Sequence, residues 1–131
     1  MPSVKRRRPL EVLVLALPET AGSVLYGLVD VLMSTGTLWQ TLVRAAPQPS
    51  PLRVQVVAPL KRPFRCGNGI PVAPQVAIRD NPRADVIIIP ELWLGPDEHL
   101  AGRYTAVIRW LRERWPNPHL VSAPGTGEAK P

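Results

Sequence analysis

Three short segments of the chain carry side chains that could do chemistry, and each follows a run rich in Val, Ile and Leu. They are Pro18-Glu19-Thr20, Pro90-Glu91-Leu92-Trp93 and Ser122-Ala123-Pro124-Gly125. If each run is a strand of a parallel sheet, the segments meet at one edge, because ligands and catalytic groups gather at the carboxyl ends of such strands. The sequence therefore predicts a candidate ligand pocket at this edge, lined by Glu19, Thr20, Glu91 and Trp93.

The same four side chains also have structural interpretations. Glu19 and Thr20 precede a predicted helix, where a carboxylate and a hydroxyl can stabilise the first turn. Glu91 and Trp93 suit a packing corner as well as a small-molecule pocket. We expect the structural role at both places and keep the pocket as the alternative.

Cys66 is the only thiol in the chain, and it stands beside the turn signal Gly67-Asn68-Gly69. A cysteine becomes a nucleophile when a neighbouring base or a helix N-terminus favours the thiolate. Neither a helix start nor a histidine lies near Cys66 in the sequence, so we expect a small packed side chain there. A single cysteine also excludes an internal disulfide and a cysteine-based metal cluster, and we expect neither metal nor cofactor.

Alternating strands and helices surround these candidates. Strands are predicted over 10–17, 52–59, 84–90 and 119–123, and the β-branched run at 84–90 is expected to be the central one. Helices are predicted over 23–36 and 97–115. The apolar face of the second helix would be formed by Leu100, Tyr104, Val107, Ile108 and Leu111. A small hairpin or irregular excursion is expected around residues 67–69. This order indicates an α/β fold with a doubly wound, mostly parallel sheet in a flavodoxin-like, three-layer arrangement.

Composition indicates one domain with an aliphatic core, because 45% of the 131 residues are hydrophobic and only 5% aromatic. The net charge of +6 comes largely from the tail residues Lys5, Arg6, Arg7 and Arg8. We therefore divide the chain into a basic tail (1–9), an α/β domain (10–123) and a disordered Gly/Pro-rich tail (124–131). No run reaches the roughly 18 apolar residues of a membrane span, and we expect a cytoplasmic protein.

Four stretches carry a resemblance to a known family. "VLVLALPETAGSVLYGLVDVL", "FRCGNGIPVAP", "ADVIIIPELWL" and "HLVSA", in this order, resemble the ThiJ/PfpI superfamily, which has the class I glutamine amidotransferase-like fold. The chain is most similar to the branch that is fused to AraC-type DNA-binding domains in bacterial regulators. The stretches cover most of residues 11–123.

The chain departs from the family pattern at its catalytic turn. In the family, the strand resembling "HLVSA" leads to a nucleophilic cysteine at the start of a long helix, which favours the thiolate and an oxyanion. Aligning Ser122 and Ala123 with that turn puts Pro124, followed by Gly125, at the cysteine position. Proline offers neither a nucleophile nor an N–H group. The resemblance therefore implies a degenerate elbow, no catalysis by the family route and a C-terminally truncated domain.

The family comparison bears on two other candidates. Glu19 falls near the place where many members have a carboxylate that hydrogen-bonds the nucleophilic thiol. Glu91 and Leu92 fall where the wider superfamily often has a Pro-Gly-Gly turn that supplies an oxyanion donor. Without the thiol, Glu19 would have nothing to activate.

These observations lead to one expected function. We expect a non-catalytic, partial ThiJ/PfpI-like domain that senses a ligand or mediates dimerisation in an AraC-type transcriptional regulator. The expected partners are a second copy or a complementary downstream fragment, and an unidentified small molecule. We expect no membrane partner, and no direct DNA contact without a downstream helix-turn-helix domain.

Two alternatives stay open. The first is a small cysteine-dependent hydrolase or amidase of the same superfamily that uses Cys66 or Glu19. The second is nucleic-acid binding through the basic residues 5–8. Because a helix after the last strand normally covers one sheet face, we also expect exposed apolar residues in the runs "VIII" and "HLV" and marginal stability or self-association.

Overall fold

A computed structural model describes residues 8–46, 48–100 and 102–114, together with the backbone of a short strand at 121–122. The strands are β1 (Leu10–Leu15), β2 (Leu52–Ala58), β3 (Phe64–Arg65), β4 (Pro71–Val72), β5 (Val76–Ala77), β6 (Val86–Ile89) and β7 (Val121–Ser122). The helices are α1 (Gly22–Met33), α2 (Leu38–Leu42) and α3 (Thr105–Arg114). None of the helices in the described part of the chain is long and apolar enough to cross a membrane.

Five strands form one parallel sheet in the order β5-β2-β1-β6-β7. β1 pairs with β2 along its whole length, from Leu10 opposite Leu52 to Leu15 opposite Val57. On its other side, β1 pairs with β6. The predicted α/β fold with a mostly parallel sheet is confirmed. The middle position belongs to β1, however, and β6 lies between β1 and β7.

Helices cover both faces of this sheet, because alternate residues of a strand point to opposite sides. On one face, Val12, Val14 and Ala16 pack with Leu25 of α1. On the other face, Leu13, Leu15 and Leu17 pack with Val107 and Trp110 of α3. Full burial of one such aliphatic side chain stabilises the fold by about 1.5–3 kcal/mol. The result is the predicted three-layer arrangement. On β6, only Ile87 is buried, and Val86, Ile88 and Ile89 are half-buried.

Side chains close part of the outer edge of β2, which β5 covers only opposite Val57 and Ala58. The Ser50 hydroxyl accepts a hydrogen bond from Leu52 N at 3.2 Å and donates one to Leu52 O at 2.9 Å. Gln75 likewise bonds both backbone groups of Val56. Its side-chain Oε1 accepts a hydrogen bond from Val56 N at 2.7 Å, and its backbone N donates one to Val56 O at 3.0 Å. Two residues outside the strand thus satisfy backbone groups that would otherwise face solvent.

The predicted helix over 97–115 is too long at its start. α3 begins at Thr105, and its first turn contains no acidic residue, so Asp97 and Glu98 do not serve as its N-terminal charges. Gly102 has a φ of 82°, a left-handed conformation that interrupts a helix before that point. The apolar face also differs from the prediction. Trp110 is buried, whereas Ile108 is exposed.

The hairpin expected around residues 67–69 is present. β3 and β4 pair antiparallel, with Phe64 opposite Val72. A 3-10 turn joins them, and Asn68 and Gly69 have φ values of 58° and 70°. This is the conformation that the Asn-Gly pair favours in tight turns.

Candidate functional site

The carboxyl ends of β1 and β6 are joined by backbone hydrogen bonds. Ala21 N donates to Glu91 O at 2.8 Å, and Trp93 N donates to Glu19 O at 2.7 Å. Between them, Thr20 and Leu92 form an isolated antiparallel bridge. The sequence grouped these two segments on the basis of their positions after strands, and the structure brings them into direct contact.

The hairpin reaches the same place, which sequence reasoning did not foresee. Gly67 N donates to Thr20 O at 2.9 Å. A Cβ on Gly67 would lie 2.9 Å from Trp93 Cε3 and 3.0 Å from Thr20 O, so only glycine fits between them. The segments after β1 and β6 and the turn after β3 therefore form one connected group, which we call the strand-end cluster. Its members are Glu19, Thr20, Gly67, Glu91, Leu92 and Trp93.

Thr20 lies inside this cluster and not at its surface. Its side chain is fully buried, and its Oγ1 accepts a hydrogen bond from Leu17 N at 2.8 Å. The residue at the N-cap of α1 is Ala21, and no side chain caps the helix. The predicted helix-start role of Glu19 and Thr20 is therefore wrong. The Thr20 hydroxyl instead closes the turn that connects β1 to α1.

The Glu19 carboxylate is occupied on both oxygens. Arg103 Nη1 donates to Oε1 at 3.0 Å, and the Tyr104 hydroxyl donates to Oε2 at 2.5 Å. The Glu19 side chain is only 12% exposed. Because a charge that leaves water needs a partner and hydrogen bonds, this arrangement neutralises a carboxylate that would otherwise be costly to bury.

Tyr104 responds to this environment. Burial, together with the hydrogen bond and the negative charge of Glu19, raises the pKa of Tyr104 to about 12, and the positive charge of Arg103 opposes part of this rise. The phenol therefore stays protonated at neutral pH and acts as a donor to Glu19. Sequence analysis placed Tyr104 on an apolar helix face and did not single out Arg103. No local pattern links either residue to position 19.

Glu91 and Trp93 form the outer part of the strand-end cluster. Glu91 is half-buried, and Trp93 is exposed by 44% although its ring rests on Gly67. Leu94 next to it is also exposed. Glu91 and Trp93, with Leu94 beside the cluster, are therefore side chains of this region that remain accessible to a ligand.

Cys66 is a packed core residue, as expected. It is 4% exposed and belongs to the apolar cluster beneath α1, with Leu25 and Val72. Its backbone N donates to Ile70 O at 2.9 Å within the hairpin turn. In this position the thiol contacts apolar side chains, which is typical of an inert cysteine.

The remaining candidates lie partly or wholly outside the described residues. Ser122 has its backbone in β7, opposite Ile89 at the carboxyl end of β6. Ala123, Pro124 and Gly125 are outside the described residues, as is the basic tail up to residue 7. Within the described ranges, no group of three or more His, Cys, Asp or Glu side chains is placed to hold a metal ion.

Comparison with solved structures finds a similar fold. A chain from Vibrio parahaemolyticus, described as a "putative transcriptional regulator protein", superimposes with a TM-score of 0.61 at 21% sequence identity. The match covers 88% of this chain and 56% of the Vibrio chain, so the protein spans little more than half the length of its structural neighbour. No protein-family model matches the sequence, and no curated protein matches it.

Proposed function

We propose that this chain is a non-catalytic domain of ThiJ/PfpI type, which senses a ligand or mediates dimerisation for an AraC-type transcriptional regulator in the cytoplasm. The observation that carries the proposal is the occupied carboxylate of Glu19 at the end of β1. In the family that the sequence resembles, a carboxylate near this position hydrogen-bonds a nucleophilic thiol. Here Arg103 and Tyr104 take both of its oxygens.

The position of the only thiol supports the absence of catalysis. Cys66 lies in the apolar core beneath α1, where a substrate carbonyl would have no access without local unfolding. The Vibrio fold match is compatible with a place in a transcriptional regulator.

A direct test is an assay for turnover. The purified chain would be incubated with glyoxal, amide and ester substrates, beside its Cys66→Ala variant. We expect no turnover above buffer for either protein. Turnover that disappears in Cys66→Ala would establish the cysteine-enzyme alternative, and turnover that persists would reveal a different catalytic group. Either result would overturn the proposal.

The dimerisation part of the proposal is supported by an uncharged apolar surface at the end of α1 and around α2. Residues 31–43 contain no charged side chain. Large apolar side chains in this segment are exposed by 49–68%: Val31, Met33, Leu38, Trp39, Leu42 and Val43. We call them the α2 patch. On a soluble protein, exposed apolar side chains concentrated in one region often mark an interaction site.

A second copy of the chain is the partner that the α2 patch fits. Asp30 precedes the patch and Arg44 follows it. In a two-fold dimer the same surface meets itself, and a patch without charged side chains can do so without bringing like charges together.

Sedimentation at several protein concentrations tests this part. We expect the wild type to dimerise and Trp39→Ser to raise the dimer dissociation constant at least tenfold. Ile108→Ser, which removes an exposed apolar side chain of α3 outside the patch, is the control and should leave the constant unchanged. A wild type that stays monomeric at all concentrations would contradict dimerisation, and so would equal effects of the two variants.

A further inference from the structure

A cleft lies at the carboxyl ends of β2 and β5, and it shares no lining residue with the strand-end cluster. Its volume is about 210 Å³, and it is lined by Leu60, Lys61, Arg62, Ala77, Arg79 and Asp80. Residues 60–62 follow β2, and Arg79 and Asp80 belong to the 3-10 turn that follows β5. The cleft is therefore at the sheet edge where α/β proteins usually bind ligands.

Among the described residues, the charged groups of the cleft have no partners. The lining contains three cationic side chains and one carboxylate: Lys61, Arg62 and Arg79, and Asp80. Across residues 8–46, 48–100 and 102–114, none of these four side chains makes an ion pair or a hydrogen bond. Three like charges near one another are unfavourable without a counter-charge, and their attraction for an anion is strengthened by the concave surface between them.

On one wall of the cleft, Arg79 lies in a turn that side chains of α3 hold in place. Ile78 is buried, and the next residue after the turn, Asn81, has a left-handed backbone with φ 51°. Arg114 of α3 holds Asn81 through bonds from Nε to Oδ1 at 3.0 Å and from Nη2 to the backbone O at 2.8 Å. Trp110 Nε1 donates to the same Oδ1 at 3.2 Å. The turn is thus held in place by α3 while Arg79 stays exposed.

The opposite wall is also restricted. Pro59 and Pro63 flank the Leu60-Lys61-Arg62 segment, and proline fixes the backbone φ angle and restricts the residue before it. Gln75 bonds both backbone groups of Val56, which sets β5 against β2 and so fixes the separation of the two walls. A site whose walls are held before binding loses less conformational entropy when the ligand enters.

We infer that this cleft binds a small molecule through a phosphate or carboxylate group. Arg62 and Arg79 can each form a two-pronged pair with such a group, and Lys61 adds a point charge. Asp80 suits a hydroxyl of the same ligand, because an ionised carboxylate accepts hydrogen bonds. The volume is below the range of about 300–1,000 Å³ that is common for larger ligands. This site does not depend on the proposed role in regulation.

Nuclear magnetic resonance titration of the full chain with inorganic phosphate, at constant ionic strength set with sodium chloride, tests the site. A parallel titration with succinate separates phosphate from carboxylate recognition, and saturation by either anion supports the site. We expect saturable shifts confined to the amides of residues 60–62 and 77–80. Arg79→Gln and Lys61→Gln should each weaken binding about tenfold.

Arg109→Gln is the matched control, because Arg109 is an exposed arginine of α3 outside the cleft. It should leave the affinity unchanged, and dispersed spectra of all variants establish that they fold. Shifts that fail to saturate with both anions would overturn the inference, as would equal weakening by Arg109→Gln. Shifts of the same amides with duplex DNA but with neither small anion would overturn it in favour of nucleic-acid binding.

Discussion

Tyr104 and Glu19 are 85 residues apart in the chain, yet the Tyr104 hydroxyl donates a 2.5 Å hydrogen bond to Glu19 Oε2. This contact ties the segment before α3 to the end of the central strand β1. It also means that Glu19, one of the four residues predicted to line the pocket, has its carboxylate bound within the protein.

Tyr104→Phe should lower the free energy of unfolding by about 1–3 kcal/mol, because it leaves one oxygen of a nearly buried carboxylate without its donor. Urea denaturation followed by circular dichroism measures the change. Tyr26→Phe is the control, since Tyr26 is exposed and its hydroxyl donates to the backbone O of Pro71. Its effect should be smaller. If the two variants lowered the free energy of unfolding equally, the contact with Glu19 would not stabilise the fold more than an exposed hydrogen bond does.

Alkaline pH should weaken the fold through Tyr104. The folded-state pKa of Tyr104 is about 12 against an ordinary value of 10.0, so the folded protein holds this proton more tightly than the unfolded chain. The contribution to stability is complete below pH 10 and is lost as the pH rises from 10 to 12. Comparing wild type with Tyr104→Phe across this range isolates it. A single tyrosine titration step near 10.0 in the folded wild type would contradict the prediction.

Gly67→Ala should destabilise the protein by about 1–3 kcal/mol. The added Cβ would lie 2.9 Å from the Trp93 ring and 3.0 Å from the Thr20 carbonyl oxygen. Relieving these contacts requires moving the backbone or a packed ring, which costs stability. Gly27→Ala provides the comparison, because a Cβ at this position of α1 meets nothing within 4 Å. Alanine there should stabilise the helix by about 0.5–1 kcal/mol. Thermal unfolding of both variants would reveal opposite signs; a shared sign would refute the packing at Gly67.

Arg114→Ala should loosen the turn at residues 78–81. It removes the bonds from Arg114 to both the side chain and the backbone of Asn81, whose left-handed conformation depends on outside support. We expect faster amide hydrogen exchange in this turn and a loss of about 1–3 kcal/mol in the free energy of unfolding. Arg109→Ala changes an exposed arginine on the same helix and should stay within about 0.5 kcal/mol. Unchanged exchange in Arg114→Ala would refute the anchoring role.

The sheet could be predicted from the sequence because its strands are nearly continuous apolar runs. The pattern of β1, for example, leaves no polar residue between Val12 and Leu17, as expected for a strand covered on both faces. The start of α3 could not be predicted in this way. The apolar spacing from Leu100 onward continues a helical period, and only the left-handed backbone of Gly102 breaks it.

The position of the candidate site could be predicted from the sequence, but the hydrogen bonds and contacts between its residues could not. The segments around Glu19 and Glu91 were grouped because both follow strands, and this rule needs only local information. The partners of Glu19 are Arg103 and Tyr104, and their approach depends on how a distant loop crosses the sheet edge. Likewise, nothing near Gly67 indicates that Trp93 will rest on it.

The bonds that Ser50 and Gln75 make along the outside of β2 have a consequence for aggregation. An incoming strand lengthens a sheet by pairing with free backbone groups at its edge, which is how amyloid-type fibres grow. At Leu52 and Val56, those groups are already bonded to Ser50 and Gln75. A strand from another molecule would have to displace both residues before it could add here, so this edge resists fibre growth while the helical surface stays open to association.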